Sequence, residues 1–131
     1  MKTILVDAAD TYTIEAAETK FVVDREIHDL LESYDNPKII VTNADDTQLA
    51  TFGLVNLPYE LFSLKHNPDK PDSNYFKTLL KRYGLNADDA VYFEHSLEAV
   101  KSAESVGIKS YHFDHEVRDY QALREFLDTN L

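Results

Sequence analysis

Short runs of apolar residues alternate along the chain with stretches in which apolar positions recur every three or four residues. The runs ending at Val6 and Val41 are continuously apolar, which is typical of parallel strands buried on both faces of a sheet. The apolar runs predict five strands, at residues 3–6, 38–42, 61–64, 90–93 and 109–113.

The periodic stretches between these runs predict helices with recognisable ends. Side chains that can cap a helix precede four of them: Asp24, Asp45 or Asp46, Asp72 or Ser73, and Ser96. Pro37 limits the first predicted helix, which carries Tyr34, and glycines follow the next three at Gly53, Gly84 and Gly107. A last helix is expected to carry Val117, Tyr120, Leu123 and Leu127.

Strand and helix therefore alternate five times, which predicts right-handed crossovers and a mainly parallel five-stranded sheet covered by helices on both faces. This is a three-layer α/β sandwich of the Rossmann type. Residues 11–23 show only partial alternation, and a hairpin or flap is expected there. With 131 residues and no linker, the chain is expected to form a single domain over residues 1–131.

Composition narrows the classes of function. The formal charge of −11, from 13 basic and 24 acidic residues, repels phosphate backbones and argues against a nucleic-acid partner. The absence of cysteine excludes disulfides and thiolate metal sites. No signal peptide or membrane-spanning run is recognisable, so a cytoplasmic protein with no membrane partner is expected, of unknown oligomeric state.

Polar residues cluster where the predicted strands end. Ligands of open α/β sheets bind outside the carboxyl ends of the strands. There the sequence places a carboxylate that can act as a nucleophile or bind a cation, a hydroxyl and a lysine that can hold phosphoryl oxygens, and a second acid. The combination predicts phosphoryl transfer, in which positioning and charge neutralisation do most of the catalysis. The residues are Asp7, Ala9, Thr11, Thr42, Asn43, Lys70, Glu94 and His95.

Four segments in this order resemble the motifs of the haloacid dehalogenase-like (HAD) superfamily of phosphatases and phosphotransferases. They are "ILVDAADT", "IIVTN", "KPDSNYFKTLLKRYGL" and "AVYFEHSLEAVKSAESVGIKSYHF", which together span most of the chain. The resemblance implies a HAD-like fold in which Asp7 is the phosphoryl-accepting nucleophile. It also implies that Thr42 and Lys70 hold the phosphoryl group of a phosphorylated substrate, with Asn43 and Thr11 as further substrate-binding residues.

The same resemblance implies a Mg²⁺ ion held by Asp7, Glu94 and the backbone carbonyl of Ala9. Ala9, however, stands where phosphatases of the family usually carry a second aspartate, the general acid/base, whose loss typically lowers a rate by about 10²–10⁴. Glu94 is longer than the family's aspartate, and His95 replaces an acid that often follows it. The resemblance therefore implies weakened metal binding and slow turnover.

Two functions stay open from the sequence. One is a slow Mg²⁺-dependent phosphatase that forms an aspartyl-phosphate, and the other is a catalytically inactive HAD-like domain that binds a ligand or a protein. The intervals between Asp7, Thr42 and Lys70 are filled by predicted strands and helices, so no inserted cap domain is expected and the crevice is open.

Two further interpretations are less favoured. A receiver domain would carry its phosphoacceptor after a middle strand, and here the run at residues 61–64 is followed by no acid. A metal site at His112 and His115 lacks a third ligand of clear spacing.

Overall fold

Strands and helices alternate along residues 1–18 and 20–131, which are the residues that the computed structural model describes. Within these residues, none of the helices combines the length and apolarity needed to cross a bilayer. The elements are β1 (Thr3–Asp7), β2 (Thr13–Ala17), β3 (Lys20–Val23), α1 (Arg25–Glu32), β4 (Lys38–Thr42), α2 (Asp46–Thr51), β5 (Glu60–Ser63), α3 (Asn74–Tyr83), a 3-10 turn (Ala87–Asp89), β6 (Ala90–Glu94), α4 (Leu97–Ser105), β7 (Lys109–His112) and α5 (Tyr120–Asn130).

The main sheet has five parallel strands in the order β5-β4-β1-β6-β7. This confirms the predicted parallel sheet. β1 is central, with Val6 paired to Ile40 of β4 on one side and to Phe93 of β6 on the other. A strand in this position meets water on neither face, which is why its sequence is continuously apolar.

Each face of the sheet supports its own core. On one face, Ile4 and Val6 pack in a cluster with residues of α1 and α5, including Ile27 and Leu123. On the other face, Leu5 packs in a cluster with residues of α3 and α4, including Tyr75, Phe76, Leu79 and Ala103. Because successive side chains of a strand point to opposite faces, one strand serves both cores. The three-layer α/β prediction is therefore confirmed.

Most of the predicted helix ends are found, with two corrections. Side chains of Asp24, Asp45 and Ser96 accept the capping hydrogen bonds of α1, α2 and α4. Helix α1 ends at Glu32, so Tyr34 lies beyond it. Helix α5 begins only at Tyr120, and Val117 is 71% exposed in the preceding turn, where the Asp114 side chain accepts its backbone N–H. That local bond stabilises a turn in place of another helical turn.

Strands β2 and β3 form an antiparallel hairpin within the segment for which a hairpin or flap is expected. The hairpin packs on the end of α2: Thr13 Oγ1 donates to the Phe52 carbonyl at 3.1 Å, and the Phe21 and Phe52 rings lie 5.1 Å apart. A Cβ atom at Gly53 would lie 2.8 Å from the Phe21 carbonyl oxygen, so this approach requires glycine.

Candidate active site

The order of the strands creates a crevice between β1 and β6. From β1 the chain crosses towards β4 and β5, and then returns to the opposite side of β1 with β6 and β7. Asp7 ends β1, Glu94 ends β6, and a cavity of about 260 Å³ opens at this edge. The cavity is lined by Asp7, Ala9, Thr42, Asn43, Ala44, Gln48, Phe52, His66, Lys70, Pro71, Glu94, His95, Ser96 and Ala99.

Lys70 joins the two carboxylates. Its Nζ donates to Asp7 Oδ1 at 2.5 Å and to Glu94 Oε1 at 2.8 Å. The side chains of all three are at most 6% exposed. Buried charges are tolerated only when they are paired and hydrogen-bonded, and Lys70 pairs both acids.

His95 contacts the other oxygen of each carboxylate. Its Nδ1 lies 2.5 Å from Asp7 Oδ2 and 3.2 Å from Glu94 Oε2. Thr11 Oγ1 also donates to Asp7 Oδ2, at 2.6 Å. Glu94 accepts two more hydrogen bonds. The Tyr92 hydroxyl donates to Oε1, and the Ser96 backbone N–H donates to Oε2 at 3.1 Å. Every oxygen of the carboxylate pair thus accepts a bond from the protein.

The pairing sets the charges of this cluster. Burial by itself would raise the pKa of Asp7, but the Lys70 ammonium and the His95 hydrogen bond hold it well below its usual range. Burial would lower the pKa of Lys70, and the two carboxylates raise it above its usual value. Burial likewise opposes protonation of His95, while its bonds to Asp7 and Glu94 raise its pKa to about 10. At neutral pH the cluster therefore holds an ionised Asp7 beside two cations.

Thr42 and Asn43 end the neighbouring strand and face the same cavity. Thr42 Oγ1 accepts the Ala44 backbone N–H at 3.2 Å, which leaves its own hydroxyl hydrogen free to donate. Asn43 Oδ1 accepts the Lys70 backbone N–H at 2.8 Å, and the Asn43 carbonyl accepts the His66 N–H at 3.1 Å. Asn43 therefore fixes the loop that carries Lys70.

Seven of the eight residues singled out in the sequence line one cavity: Asp7, Ala9, Thr42, Asn43, Lys70, Glu94 and His95. Thr11 is not among the described residues of its wall, and its hydroxyl binds Asp7 instead. The roles assigned to these residues stay predictions. The sequence analysis did not select Gln48 and His66, which also line the cavity. His66 Nε2 lies 2.5 Å from Gln48 Oε1. The only sequence signal for Gln48 is its place in the Asp45 capping box.

The residues present fit a divalent cation. Asp7, Glu94 and His95 each offer a ligand atom, and these atoms lie within 4.8 Å of one another. The donor set is mixed, with carboxylate oxygens that suit Mg²⁺ and an imidazole nitrogen that suits transition metals. In the part of the chain that the structure describes, the pair His112 and His115 belongs to no such group, and His112 Nε2 contacts the His95 carbonyl at 2.9 Å.

Comparison with known proteins identifies the fold. Neither the protein-family models nor the curated proteins include a match to the sequence. Among solved structures, the chain is similar to a D,D-heptose 1,7-bisphosphate phosphatase from B. bronchiseptica complexed with magnesium and phosphate (TM-score 0.69, 17% identity, covering 100% of both chains). It is also similar to a HAD-superfamily hydrolase from Geobacter sulfurreducens (TM-score 0.66, 10% identity, covering 86% of this chain and 89% of that one).

A third similar structure is a mutant HAD-family enzyme from Bacteroides thetaiotaomicron in complex with magnesium and inorganic phosphate. Its TM-score is 0.65 at 12% identity, and the match covers 86% of this chain and 93% of that one. At such identities the likeness shows the fold and not the activity. The fold is HAD-like, which confirms the fold that the four sequence motifs imply.

Proposed function

We propose that the protein is a cation-dependent phosphohydrolase that works through an aspartyl-phosphate on Asp7. The observation that carries the proposal is the juxtaposition of an ionised Asp7, Lys70 and Thr42 around one cavity. An ionised carboxylate is the form that can act as a nucleophile. Two structures of similar fold are complexes with magnesium and phosphate, which supports a phosphorylated substrate.

In the first step, an oxygen of Asp7 attacks the phosphorus atom and the bond from phosphorus to the leaving oxygen breaks. The Lys70 ammonium and the Thr42 hydroxyl hold the transferring group through its outer oxygens. Phosphoryl transfer needs the attacking oxygen in line with the leaving oxygen, and the rigid end of β1 fixes Asp7 for this geometry. In the second step, water attacks the aspartyl-phosphate, releases inorganic phosphate and regenerates the Asp7 carboxylate.

Mg²⁺ or a similar cation bound by Asp7, Glu94 and the Ala9 carbonyl would neutralise the charge of the phosphoryl group. The protein's part is to hold the two acids in place: Lys70 binds both, and Tyr92 and the Ser96 backbone N–H further orient Glu94. Such supporting bonds orient metal ligands and are important for affinity.

The leaving group receives no proton from Ala9. A strongly basic alkoxide then has to take its proton from solvent, so turnover of alkyl phosphates is slow. The favoured substrates are those whose leaving groups are weak bases, such as aryl phosphates, acyl phosphates and phosphoanhydrides.

We further propose a single capless domain whose β2–β3 hairpin acts as a flap beside an open cavity.

A non-catalytic binding module is the second candidate. It is favoured by the protein donors that already occupy the oxygens of Asp7 and Glu94, and by the missing acid at Ala9. Such a domain would use Lys70, Thr42 and Asn43 to bind a phosphorylated ligand without cleaving it.

Hydrolysis of p-nitrophenyl phosphate with Mg²⁺, compared between the wild type and Asp7→Asn, distinguishes the two candidates. The phosphohydrolase loses activity in Asp7→Asn and forms an acid-stable phosphoprotein only with Asp7 present. Asp24→Asn is the matched control, because Asp24 is equally buried but lies outside the cavity. Equal background rates in all three proteins, together with retained phosphate binding, would support the binding module instead.

A further inference from the structure

The four oxygens of Asp7 and Glu94 divide into two sets. Oδ1 and Oε1 bind Lys70, whereas Oδ2 and Oε2 face Nδ1 of His95. A cation that approaches the second set meets an imidazole nitrogen as well as two carboxylate oxygens. Lys70 keeps its own two contacts and does not have to move.

We propose that His95 Nδ1, Asp7 Oδ2 and Glu94 Oε2 bind a divalent transition-metal cation such as Zn²⁺ or Co²⁺ in preference to Mg²⁺. This inference names the cation of the same cavity and so rests on the proposed function. His95 is the ligand that distinguishes it from the oxygen-only set of Asp7, Ala9 and Glu94.

The distances allow this coordination after small side-chain movements. Two ligands at about 2.1 Å from a tetrahedral Zn²⁺ lie about 3.4 Å apart. The contact from Nδ1 to Glu94 Oε2 is 3.2 Å and that from Nδ1 to Asp7 Oδ2 is 2.5 Å. A rotation of the His95 ring that lengthens the second contact by about 1 Å brings both contacts of Nδ1 to a suitable spacing, and ligand atoms of the three residues lie within 4.8 Å of one another.

The chemistry of the donors decides which cation is preferred. Mg²⁺ binds oxygen ligands in octahedral geometry, and an imidazole in place of a carboxylate removes both a charge and a suitable ligand. Zn²⁺ and Co²⁺ bind imidazole strongly. The Nδ1 proton is released to solvent on binding, and the metal takes its place between the same two carboxylates.

A carboxylate lies beyond the second ring nitrogen of His95, as it does beside many metal-binding histidines, although at more than hydrogen-bond distance. Its second ring nitrogen, Nε2, faces the Asp10 carboxylate at 4.0 Å, and the His115 ring packs against it edge-on at 5.2 Å. Histidine ligands commonly direct their free N–H towards a carboxylate, which fixes the tautomer and the orientation of the ring.

Isothermal titration of the apo-protein with Zn²⁺, Co²⁺ and Mg²⁺ tests the inference without reference to activity. The wild type should bind Zn²⁺ and Co²⁺ at least about 10-fold more tightly than Mg²⁺, and His95→Asn should lose this preference. His28→Asn, which removes a histidine outside the cavity, is the matched control and should keep it. His95→Asp should shift the preference towards Mg²⁺.

A second measurement does not depend on any variant. In the wild type, NMR signals of the His95 ring should shift further on addition of Zn²⁺ than on addition of Mg²⁺, because only Zn²⁺ binds the ring nitrogen directly. Equal or tighter binding of Mg²⁺, an unchanged preference in His95→Asn, or an unmoved His95 ring would overturn the inference. Zinc preference in a protein without phosphatase activity would refute the proposed function alone, and Asp7-dependent activity with Mg²⁺ preference would refute this inference alone.

Discussion

Two buried ion-pair clusters lie at the same edge of the sheet, and only one faces the cavity. In the cavity cluster, Lys70 and His95 bind Asp7 and Glu94. In the second, which we call the Arg118 cluster, Arg118 binds Asp24 Oδ2 at 2.7 Å, with side-chain exposures of 16% and 6%. In both clusters the carboxylates are buried and are neutralised by cationic side chains.

The clusters differ in what their donors bind. The Arg118 guanidinium also donates to the carbonyls of Asp10 at 2.9 Å and Thr11 at 2.7 Å, and Tyr120 donates to Asp24 at 2.8 Å. These bonds fasten the loop after β1 to the start of α5. In the cavity cluster the donors bind side-chain oxygens that a substrate or a cation can reach. Burial and charge pairing alone therefore do not distinguish the two clusters, whereas access to the cavity does.

The largest expected effect is the difference in catalytic rate between substitutions of Asp7 and of Asp24. Asp7→Asn should lower kcat/KM for p-nitrophenyl phosphate by about 10⁴-fold, because it removes the nucleophile. Asp24→Asn should change it by less than about 10-fold, a minor effect on this scale. Steady-state kinetics corrected for the folded fraction checks both values. A similar loss in both variants would contradict the functional difference between the clusters.

Arg118→Met should affect stability instead. It leaves the Asp24 carboxylate buried without its partner, so the free energy of unfolding should fall by about 3–5 kcal/mol. Urea denaturation followed by circular dichroism measures this change. Arg118→Lys, which restores a charge but not the planar set of donors, should recover only part of the loss.

Ala9→Asp should add to the cavity the acid that it lacks. We expect about a 10²-fold gain in the hydrolysis of alkyl phosphates, because their basic leaving groups need a proton. For p-nitrophenyl phosphate the gain should be small, since its leaving group is a weak base. Rates with both substrates check the prediction, and Ala9→Asn, which adds the same volume without an acid, is the control. Equal gains in both variants would refute it.

The smallest expected effect is a pH dependence of stability confined to the cavity cluster. The pKa of His95 is about 10 in the folded protein and about 6.5 when unfolded. Because the pKa is higher in the folded protein, protonated His95 contributes its full stabilisation below about pH 6.5. This stabilisation is lost as the pH rises towards 10. Between about pH 7 and 9 the loss should be on the order of 1 kcal/mol per pH unit.

Urea denaturation of the wild type and His95→Asn at several pH values checks this slope. The slope should disappear in His95→Asn. Arg118→Met should retain it, because the guanidinium that this substitution removes does not lose its proton in this pH range. A wild-type stability that stays constant from pH 7 to 9 would show that His95 is not charged between the two acids.

Much of the fold was predictable because its signals are local. Continuous apolar runs marked the buried parallel strands, and capping side chains marked where α1, α2 and α4 begin. The start of α5 was wrong by three residues because Val117 follows the helical period but is held in a turn by Asp114. Sequence periodicity cannot detect this competition, since it depends on a side-chain bond to the backbone.

By itself, the sequence determined that polar residues follow the strands and that Asp7, Thr42, Lys70 and Glu94 are suited to phosphate and metal chemistry. Strand order determines which of these residues meet, and it emerges only when the sheet forms. Tertiary structure alone decided that His95 and Lys70 meet Asp7, and that Asn43 fixes the loop of Lys70. The reason is physical: such contacts join residues far apart in the chain, and their distances follow from the packing of the whole sheet.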